Sequence, residues 1–250
     1  MKRLIVYLLS AMLVFLCGCT GKNGIVSLSP SLTSVICELG GEGSLCAVCD
    51  YSAVTDDSIP RVGSALSPDC DAIRALDAEL IITPVSLTND IGIPCRAFSA
   101  PVSVTELKRL YRELGALISE ENEAERMVSE LEEALSDNTG KKILLFLGDG
   151  LEVATGDTLA GDILSSFGVN VAADENNCEM SAAAIRKAEP DFVFFPDNFD
   201  VSSLEHDIAS LEAVSNGKYS FVDITAFELY GKKLVDAVNA MQRALYFVGG

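Results

Sequence analysis

Short apolar runs alternate with helix-forming segments along this chain, and the alternation occurs twice. In the first half, the runs "GIVSLS", "LCAVCD" and "ELIITPV" are separated by segments such as "PSLTSVICELG", whose apolar residues lie three or four positions apart. Apolar runs separated by helices are typical of a parallel sheet that is covered on both faces. After the polar break "SDNTGKK", the pattern resumes with "KILLFLG", "LEVAT", "PDFVFFPD" and "YSFVDI" as strands. The alternation therefore predicts an α/β fold with two lobes, each built on a mainly parallel central sheet.

A helical stretch lies between the two halves. Ser103 and Glu106 have the spacing of a capping box and predict the start of a helix. Gly115 and Ser119 predict a break, after which a second helix runs from 120 to 136 and is about 25 Å long at 1.5 Å per residue. This backbone helix joins the lobes, and a ligand cleft is expected between them. The expected division of the chain is 1–18, 19–24, 25–102, 103–140 and 141–250.

The first of these segments has the features of an export signal. Lys2 and Arg3 precede an apolar run of about 13 residues, which is shorter than the roughly 20 needed to span a bilayer as a helix. The sequence from Leu16 to Cys19, Leu-Cys-Gly-Cys, resembles a bacterial lipobox. It predicts cleavage before Cys19 and attachment of acyl chains such as palmitate to its thiol, with residues 19–24 as a tether. A plain secreted protein with two incidental cysteines is the alternative.

The charge of the chain limits its partners. The net charge is −19, and loss of residues 1–18 removes two cations and no acids, which leaves −21. Such a surface repels nucleic acid and anionic headgroups, so the anchor has to be the lipid. We expect a monomer at the cell membrane that is lipid-anchored and faces away from the cytoplasm.

Six cysteines follow Cys19, and the sequence does not decide whether they form disulfides because six allow fifteen pairings. Cys46 and Cys49 have the spacing of a metal or redox site, but they lie in an apolar segment that reads as a buried strand. The chain has one histidine, His206, in a polar stretch predicted to face solvent, so a zinc site made of several imidazoles is excluded. The six cysteines are Cys37, Cys46, Cys49, Cys70, Cys95 and Cys178.

Signs of catalysis are weak. The glycine-rich "LGGEG" and "GDG" match neither a dinucleotide-binding fingerprint nor a phosphate loop, and there is no Gly-x-Ser-x-Gly elbow. With a single histidine, imidazole-based acid/base chemistry is not expected. The sequence thus predicts neither catalytic residues nor a resident cofactor.

A series of segments in order, among them "GIVSLSPSLTSVICELG", "RVGSALSPDCDAIRALDAELIIT", "VATGDTLAGDILSSFGVNVAAD" and "MSAAAIRKAEPDFVFF", resembles the iron-siderophore and cobalamin class of ABC importer solute-binding proteins. The resemblance covers about 24–247. It implies two α/β lobes bridged by one rigid helix, a ligand in the groove between them, and delivery to a permease driven by a separate ATPase. In organisms with one membrane, lipidation keeps such a receptor beside its permease.

The resemblance also implies which loop residues contact the ligand. Tyr51 and Phe199 rank first, because aromatic faces bind planar macrocycles or catecholates at low entropic cost. In the first lobe the implied contact residues are Ser29, Pro30, Ser31, Tyr51, Ser64, Ala65, Val85 and Ser86. In the second lobe they are Asp149, Thr155, Gly156, Asn198, Phe199, Phe227 and Tyr230.

The first of two departures from the family pattern concerns the residues that contact the permease. Family members present an acidic residue on each lobe to arginines of the permease; here Asp71 replaces the usual glutamate, and Ala183 stands where the second acid is expected. Glu179, two residues before the aligned Ser181, is a candidate replacement. A lipid-anchored sensor or ligand chaperone that is not coupled to transport is therefore the alternative to an importer component.

The second departure concerns the ligand. The chain has no Trp and short cleft loops, so haem, a corrinoid or a compact ferric siderophore would each fit. Asp149 and Asp197 with a tyrosine would provide ligands for bare ferric iron, although acidic residues after strands more often form turns. The negative charge disfavours highly anionic complexes, so we expect a neutral or cationic-headed macrocycle such as a corrinoid.

Overall fold

The computed structural model describes residues 24–87, 91–148, 150–203 and 206–247. The predicted signal peptide, the lipobox with Cys19, and Asp149 lie outside the described residues, as does the side chain of His206. Within the described ranges, no helix combines the length and the apolar character needed to cross a membrane.

The first lobe is built on a parallel four-stranded sheet in the order β2-β1-β5-β6. Its strands are β1 (Ile25–Ser27), β2 (Leu45–Val48), β5 (Leu80–Thr83) and β6 (Cys95–Ala97). A small antiparallel hairpin pairs β3 (Gly63–Ser64) with β4 (Ser67–Pro68). Helices α1 (Pro30–Glu38) and α2 (Cys70–Ala75) follow β1 and β4, so the predicted alternation is confirmed in this half.

The lobes are joined by an antiparallel pair of helices, α3 (Val104–Ile118) and α4 (Glu121–Ala134). The hydroxyl of Ser103 accepts a hydrogen bond from the Glu106 amide at 3.2 Å and caps α3, as predicted. Ser119 adopts a left-handed conformation with φ of 61°, which ends α3 at the predicted break. Glu106 completes the cap by accepting from the Val102 amide at 3.0 Å.

Three contacts fix how the hairpin formed by α3 and α4 packs. Lys108 lies 2.8 Å from Glu132 and Arg112 lies 2.7 Å from Glu125, which ties the two helices side by side. Gly115 permits their close approach, because a Cβ there would lie 2.6 Å from the Cβ of Ala124. The second helix ends at Ala134, two residues before the predicted end.

The second lobe repeats the architecture with a parallel sheet in the order β10-β9-β7-β8. Its strands are β7 (Lys142–Leu145), β8 (Val169–Asn170), β9 (Phe192–Pro196) and β10 (Tyr219–Val222). The helices are α5 (Leu159–Phe167), α6 (Ala182–Ala188), α7 (His206–Ala209), α8 (Glu212–Ser215), α9 (Ala226–Leu229) and α10 (Lys232–Phe247). The strand predicted at "LEVAT" is wrong: this segment makes isolated bridges from Val153 to Phe146 and from Glu152 to Glu179.

A shared hydrophobic core connects the lobes and the hairpin. It contains Ile36 of α1, Leu114 of α3 and Met127 of α4 together with Phe194 of β9 and Leu234 of α10. A large rotation of one lobe against the other would expose part of this core to water, at about 25 cal/mol per Å² of apolar surface. The packing therefore opposes wide opening of the two lobes.

A polar joint lies beside this core, where the first lobe meets the start of α10. The carboxylate of Glu38, at the end of α1, accepts a hydrogen bond from the backbone amide of Lys232, the first residue of α10. A Cβ on Gly231 would overlap the Glu38 carboxylate, so a larger residue at this position would displace that side chain. The hydroxyl of Tyr111 donates to the carbonyl of Tyr230, which has a left-handed φ of 61°. One residue from each of α1 and α3 thus holds the segment that enters α10.

This joint predicts a pH-dependent contribution to stability. Burial raises the pKa of Glu38, opposed by the Lys232 amide and by the charges of Lys232 and Arg126, while Asp236 raises it further. Because the folded protein favours the protonated form, Glu38 contributes stability that is fully present below its pKa in the unfolded chain, about 4.3. This contribution is lost as the pH rises through the higher pKa of Glu38 in the folded protein. Glu38→Gln keeps a carbonyl acceptor for Lys232 and cannot ionise. The unfolding free energy of the parent minus that of Glu38→Gln should therefore fall as the pH rises above about 4.3.

Urea unfolding of both proteins at several pH values measures this difference. Glu133→Gln, at an exposed position of α4, is the matched control for loss of one negative charge. A parent-minus-variant difference that stays constant or rises with pH for Glu38→Gln would contradict a raised pKa at the joint.

Candidate ligand-binding site

The loops that carry the predicted contact residues leave the carboxyl ends of the strands in both sheets. In the first lobe they follow β1, β2 and β5, and in the second lobe they follow β7, β9 and β10. Helix α9, in the segment after β10, packs against α1 of the first lobe. Ligands of open parallel sheets bind outside the carboxyl ends of the strands, so this edge is the candidate site.

A cluster of buried hydroxyl groups underlies the loop after β1. Ser29 caps α1, with its hydroxyl 3.3 Å from the Leu32 amide, and Pro30 occupies the first turn. The Thr33 hydroxyl lies 2.8 Å from the Ser29 carbonyl oxygen and 3.0 Å from the Ser52 hydroxyl, which belongs to the loop after β2. Ser31 stays half-buried, with its hydroxyl 3.0 Å from that of Ser29. These contacts tie the first two loops of the site together.

The loop from 49 to 52 presents Tyr51 to solvent, with the residue 79% exposed. Asp50 pairs with Gly63 through two bonds of 3.0 Å, one from the Asp50 amide to the Gly63 carbonyl and one from the Gly63 amide to the Asp50 carboxylate. Arg61 reaches the same loop with its Nη1 atom. An exposed aromatic ring on a hydrogen-bonded loop is suited to stacking on a flat ligand.

The hairpin of β3 and β4 continues the rim of the site beyond this loop. Ser64 and Ala65 are half-buried, whereas Leu66 at the turn is 91% exposed. Leu66 was not among the predicted contact residues. No periodic pattern distinguishes it in the sequence, because its exposure results from the tight turn between Ser64 and Ser67.

The loop after β5 also directs predicted residues outward. The Thr83 hydroxyl donates to the carbonyl of Val85 at 3.0 Å and so fixes the first turn of this loop. Val85 and Ser86 are both exposed. Together with Tyr51, they are the predicted first-lobe residues whose side chains have open access to solvent.

In the second lobe, Thr155 anchors a loop. It is fully buried, and its hydroxyl lies 2.5 Å from the Asp157 carboxylate and accepts from the Cys178 amide at 3.1 Å. The hydrogen bond from Thr155, joined by one from the Asn177 amide, lowers the pKa of Asp157. Gly156 is exposed, and a Cβ on it would overlap the carbonyl oxygen of Ala173.

Two predicted aromatic contact residues are packed into the second lobe. Phe199 is 8% exposed and stacks on Phe195 with ring centroids 4.8 Å apart; Phe195 in turn stacks on Phe146 at 5.2 Å. Phe227 is buried in the shared core. These rings serve packing in this structure, and their contact with a ligand stays a prediction. Asn198, beside Phe199, is exposed.

Tyr230 is half-buried at the joint with Tyr111, and burial raises its pKa. A neutral phenol is therefore its stable form at neutral pH. Its carbonyl is used by Tyr111, so any ligand contact would have to come from its ring or hydroxyl.

The candidate docking residues lie at helix starts. Asp71 is in the first turn of α2, its side chain is 97% exposed, and it lies 2.9 Å from Arg74. In α6, Ser181 is the N-cap, with its hydroxyl 3.2 Å from the Ala184 amide, and Ala183 follows in the first turn. Glu179 is exposed just ahead of this cap.

The six described cysteines are free. Burial raises the pKa of Cys37 to about 11 and also raises that of Cys46, so the metal-binding thiolate form is disfavoured at both. Over the described ranges, no three His, Cys, Asp or Glu residues gather where they could hold a metal ion. Asp197 is exposed after β9, and its predicted partner Asp149 is outside the described residues.

A surface cavity of about 460 Å³ lies at the opposite edge of the second sheet, near the amino ends of β7, β9 and β10. Its lining balances the cations Lys142, Arg186 and Lys218 against the acids Glu189, Asp191 and Glu212. None of the predicted contact residues lines it. We prefer the carboxyl edge as the site, because parallel sheets offer loops rather than strand starts to a ligand.

Solved structures of binding proteins share this architecture over most of the chain. The haem-binding protein HutB of Vibrio cholerae superposes with a TM-score of 0.73 at 21% identity, over 90% of this chain and 99% of that one. The siderophore-binding protein BauB gives 0.72 at 18%, over 91% and 94%. The vitamin B12-binding protein BtuF of Vibrio cholerae gives 0.69 at 18%, over 90% and 97%.

The chain has the two-lobed α/β fold of these solute-binding proteins. The fold expected from the sequence resemblance is thus confirmed. No protein-family model matches the sequence, and no curated protein is similar enough to count as a match. At identities near 20%, similarity of structure reports the fold and not the ligand.

Proposed function

We propose that this protein is the lipid-anchored, extracytoplasmic solute-binding component of an ABC importer. It binds a corrinoid or an iron complex, such as a siderophore or haem, in the cleft between its lobes and delivers it to a membrane permease. The observation that carries the proposal is the solute-binding fold, shared over 90% of the chain with proteins described as binding haem, siderophores and vitamin B12. The protein binds its ligand without converting it.

The exposed residues at the carboxyl edge favour a large ligand with apolar faces. Tyr51 and Leu66 offer an aromatic ring and an apolar side chain on the rim, and Val85 adds a second apolar contact. The net charge of −19 disfavours highly anionic complexes. These features support a neutral or cationic-headed macrocycle, such as a corrinoid, as the preferred ligand.

Titration of the purified protein with cyanocobalamin, haemin, a ferric catecholate and a ferric hydroxamate tests this proposal. Ligand absorbance and tyrosine fluorescence both report binding, and the chain has no Trp to interfere. We expect one of the four to bind with a Kd below about 10 μM, which corresponds to roughly −7 kcal/mol. Absence of binding by all four at that concentration would reject the assignment of a corrinoid or iron complex.

Delivery to the permease is proposed to use Asp71 on the first lobe and Glu179 on the second. Each is an exposed carboxylate at or near the start of a helix, available to arginines of a partner. Such pairs mainly set orientation and association rate. With the permease and ATPase in vesicles, Asp71→Ala should lower the initial rate of uptake about three- to tenfold, and Glu179→Ala should lower it less.

Asp57→Ala, at an exposed loop position of the first lobe, is the matched control and should leave uptake unchanged. Ligand affinity, measured in parallel, should be unaltered in all three variants. Uptake at the parental rate in both Asp71→Ala and Glu179→Ala would reject docking through these acids.

The alternative is a lipid-anchored sensor or ligand chaperone with the same fold. The observation that favours it is Ala183 in the first turn of α6, where the resemblance places a second docking acid. Permease and ATPase genes beside the gene for this chain would support transport, whereas a neighbouring receptor kinase gene would support sensing.

Anchoring is proposed on the lipobox alone. Cys19→Ser should move the protein from the membrane fraction to the soluble fraction, whereas Cys17→Ser should leave it at the membrane. Retention of Cys19→Ser at the membrane would reject lipidation at this residue as the anchor.

A further inference from the structure

The loop that carries Tyr51 is held in place by residues that are not among the proposed ligand contacts. The segment 60–63 runs alongside the end of β2, with the Val48 amide 3.0 Å from the Pro60 carbonyl and the Val62 amide 3.0 Å from the Val48 carbonyl. Arg61 lies within this paired segment. Its backbone is therefore held against the sheet independently of its side chain.

The Arg61 guanidinium reaches across to the loop from 49 to 52. Its Nη1 atom lies 3.1 Å from the carbonyl oxygens of Cys49 and Asp50 and 2.9 Å from that of Ser52. These three carbonyls flank Tyr51 on both sides. A cation that donates to backbone carbonyls forms charge-assisted hydrogen bonds, which are stronger than neutral ones.

Two other contacts hold the same loop from different directions. Asp50 is paired with Gly63, and the Ser52 hydroxyl lies 3.0 Å from the Thr33 hydroxyl in the buried cluster under α1. Gly63 itself has φ of 81°, a conformation that glycine adopts without strain. The backbone of the loop is thus anchored on each side, while the Tyr51 ring remains exposed.

We propose that Arg61 is a positioning residue for ligand binding: its guanidinium holds the loop from 49 to 52 so that the Tyr51 ring is ready for the ligand before binding. A loop that is already ordered loses less conformational entropy when the ligand binds, and this raises affinity without an added contact. The role in ligand binding rests on the proposed function, whereas the ordering of the Tyr51 loop does not.

The ordering of the loop is tested without a ligand. The chain is labelled with 3-fluorotyrosine, and Tyr51→Phe assigns the ¹⁹F resonance of Tyr51 among those of the five tyrosines that follow Cys19. Arg61→Ala should shift or broaden the Tyr51 resonance, and Arg61→Lys, which keeps a cationic donor on a shorter side chain, should restore it in part. Arg109→Ala, on an exposed face of α3, is the control for loss of one cation.

Should Arg61→Ala fail to fold, Arg61→Gln replaces it, because the glutamine amide keeps N–H donors but carries no charge. An unchanged Tyr51 resonance in the folded Ala or Gln variant would overturn the proposal. Equal broadening of all the tyrosine resonances would also overturn it, since this would indicate general loosening rather than an effect on the loop.

The link to binding is tested by a double-mutant cycle with whichever of cyanocobalamin, haemin or the two ferric complexes binds the parent. Arg61→Lys should weaken binding about fivefold in the parent and leave the affinity unchanged when Tyr51 is already alanine. An equal loss in both backgrounds would overturn the positioning role. If none of the probes binds the parent, the proposed function fails, and the ¹⁹F spectra still decide whether Arg61 orders the loop.

Discussion

Replacing Tyr51 by alanine is expected to weaken ligand binding about 10- to 100-fold while leaving the free energy of unfolding nearly unchanged. The large effect on binding follows from the position of the ring, which is exposed on a loop that hydrogen bonds hold from several sides. An aromatic anchor of this kind contributes much contact area and loses little entropy when it is bound. The small effect on stability follows because an exposed ring buries little apolar surface in the free protein.

Titration with the ligand found for the parent, together with urea unfolding, measures both quantities. Tyr246→Ala, which removes another exposed tyrosine from α10, is the matched control and should preserve affinity. Tyr51→Phe should retain most of the affinity if the face of the ring makes the contact. Parental affinity in Tyr51→Ala would remove this loop from the site.

The largest loss of stability is expected for Phe195→Ala, at about 3–5 kcal/mol. Phe195 lies in β9 and is fully buried, and its ring contacts those of Phe146, Phe199 and Tyr219. Truncation would leave a cavity in the middle of a three-ring stack, and a strand in the interior of the sheet has little freedom to collapse into it. The packing of Phe199 should be lost together with the stack.

Urea unfolding measures the change in the free energy of unfolding. Phe221→Ala, on the edge strand β10, removes a more exposed ring that also contacts Phe195 and should cost much less. A loss below about 1 kcal/mol for Phe195→Ala would show that the stack does not hold the second lobe together. For Phe199→Ala, the free energy of unfolding and the ligand affinity should both be measured. Together they separate a packing role from ligand contact at this residue, which the resemblance implies, with Tyr51, as a main contact.

Much of the fold was predictable because its signals are local. The alternation of apolar runs and helical spacing predicted both lobes, since each strand and helix is specified by residues within about ten positions along the chain. Ser103 and Ser119 predicted the ends of α3 for the same reason: caps and left-handed residues act on the nearest turn. The strand predicted at "LEVAT" was wrong because this segment alternates in sequence but makes only isolated bridges in the structure.

The position of the loops that form the candidate site was predictable, but the exposure of their side chains was not. Loops at the carboxyl ends of parallel strands follow from the order of the elements. Whether a loop aromatic is exposed depends on what packs against it from elsewhere. Phe199 is covered by Phe195, and nothing near Phe199 in sequence indicates that the ring on the preceding strand lies parallel to it at 4.8 Å. Leu66 was not predicted for the opposite reason, because the turn between β3 and β4 leaves its side chain exposed.

The sequence by itself determined the α/β class, the two-lobed organisation, the helical connection and the edge of the sheets where the loops of the candidate site gather. These properties depend on periodicity and on caps, which are read from neighbours in the chain. The tertiary structure decided that Tyr51 is displayed while Phe199 and Phe227 are buried, that Arg61 holds the Tyr51 loop, and that Glu38 of the first lobe caps a helix 194 positions later. Glu38 and Lys232 are distant in sequence, whereas Arg61 and Phe199 are at most 12 positions from the groups that they contact but lie on different elements from them. The physical cause of these contacts is therefore the packing of complete elements against one another and not the pattern within any one of them.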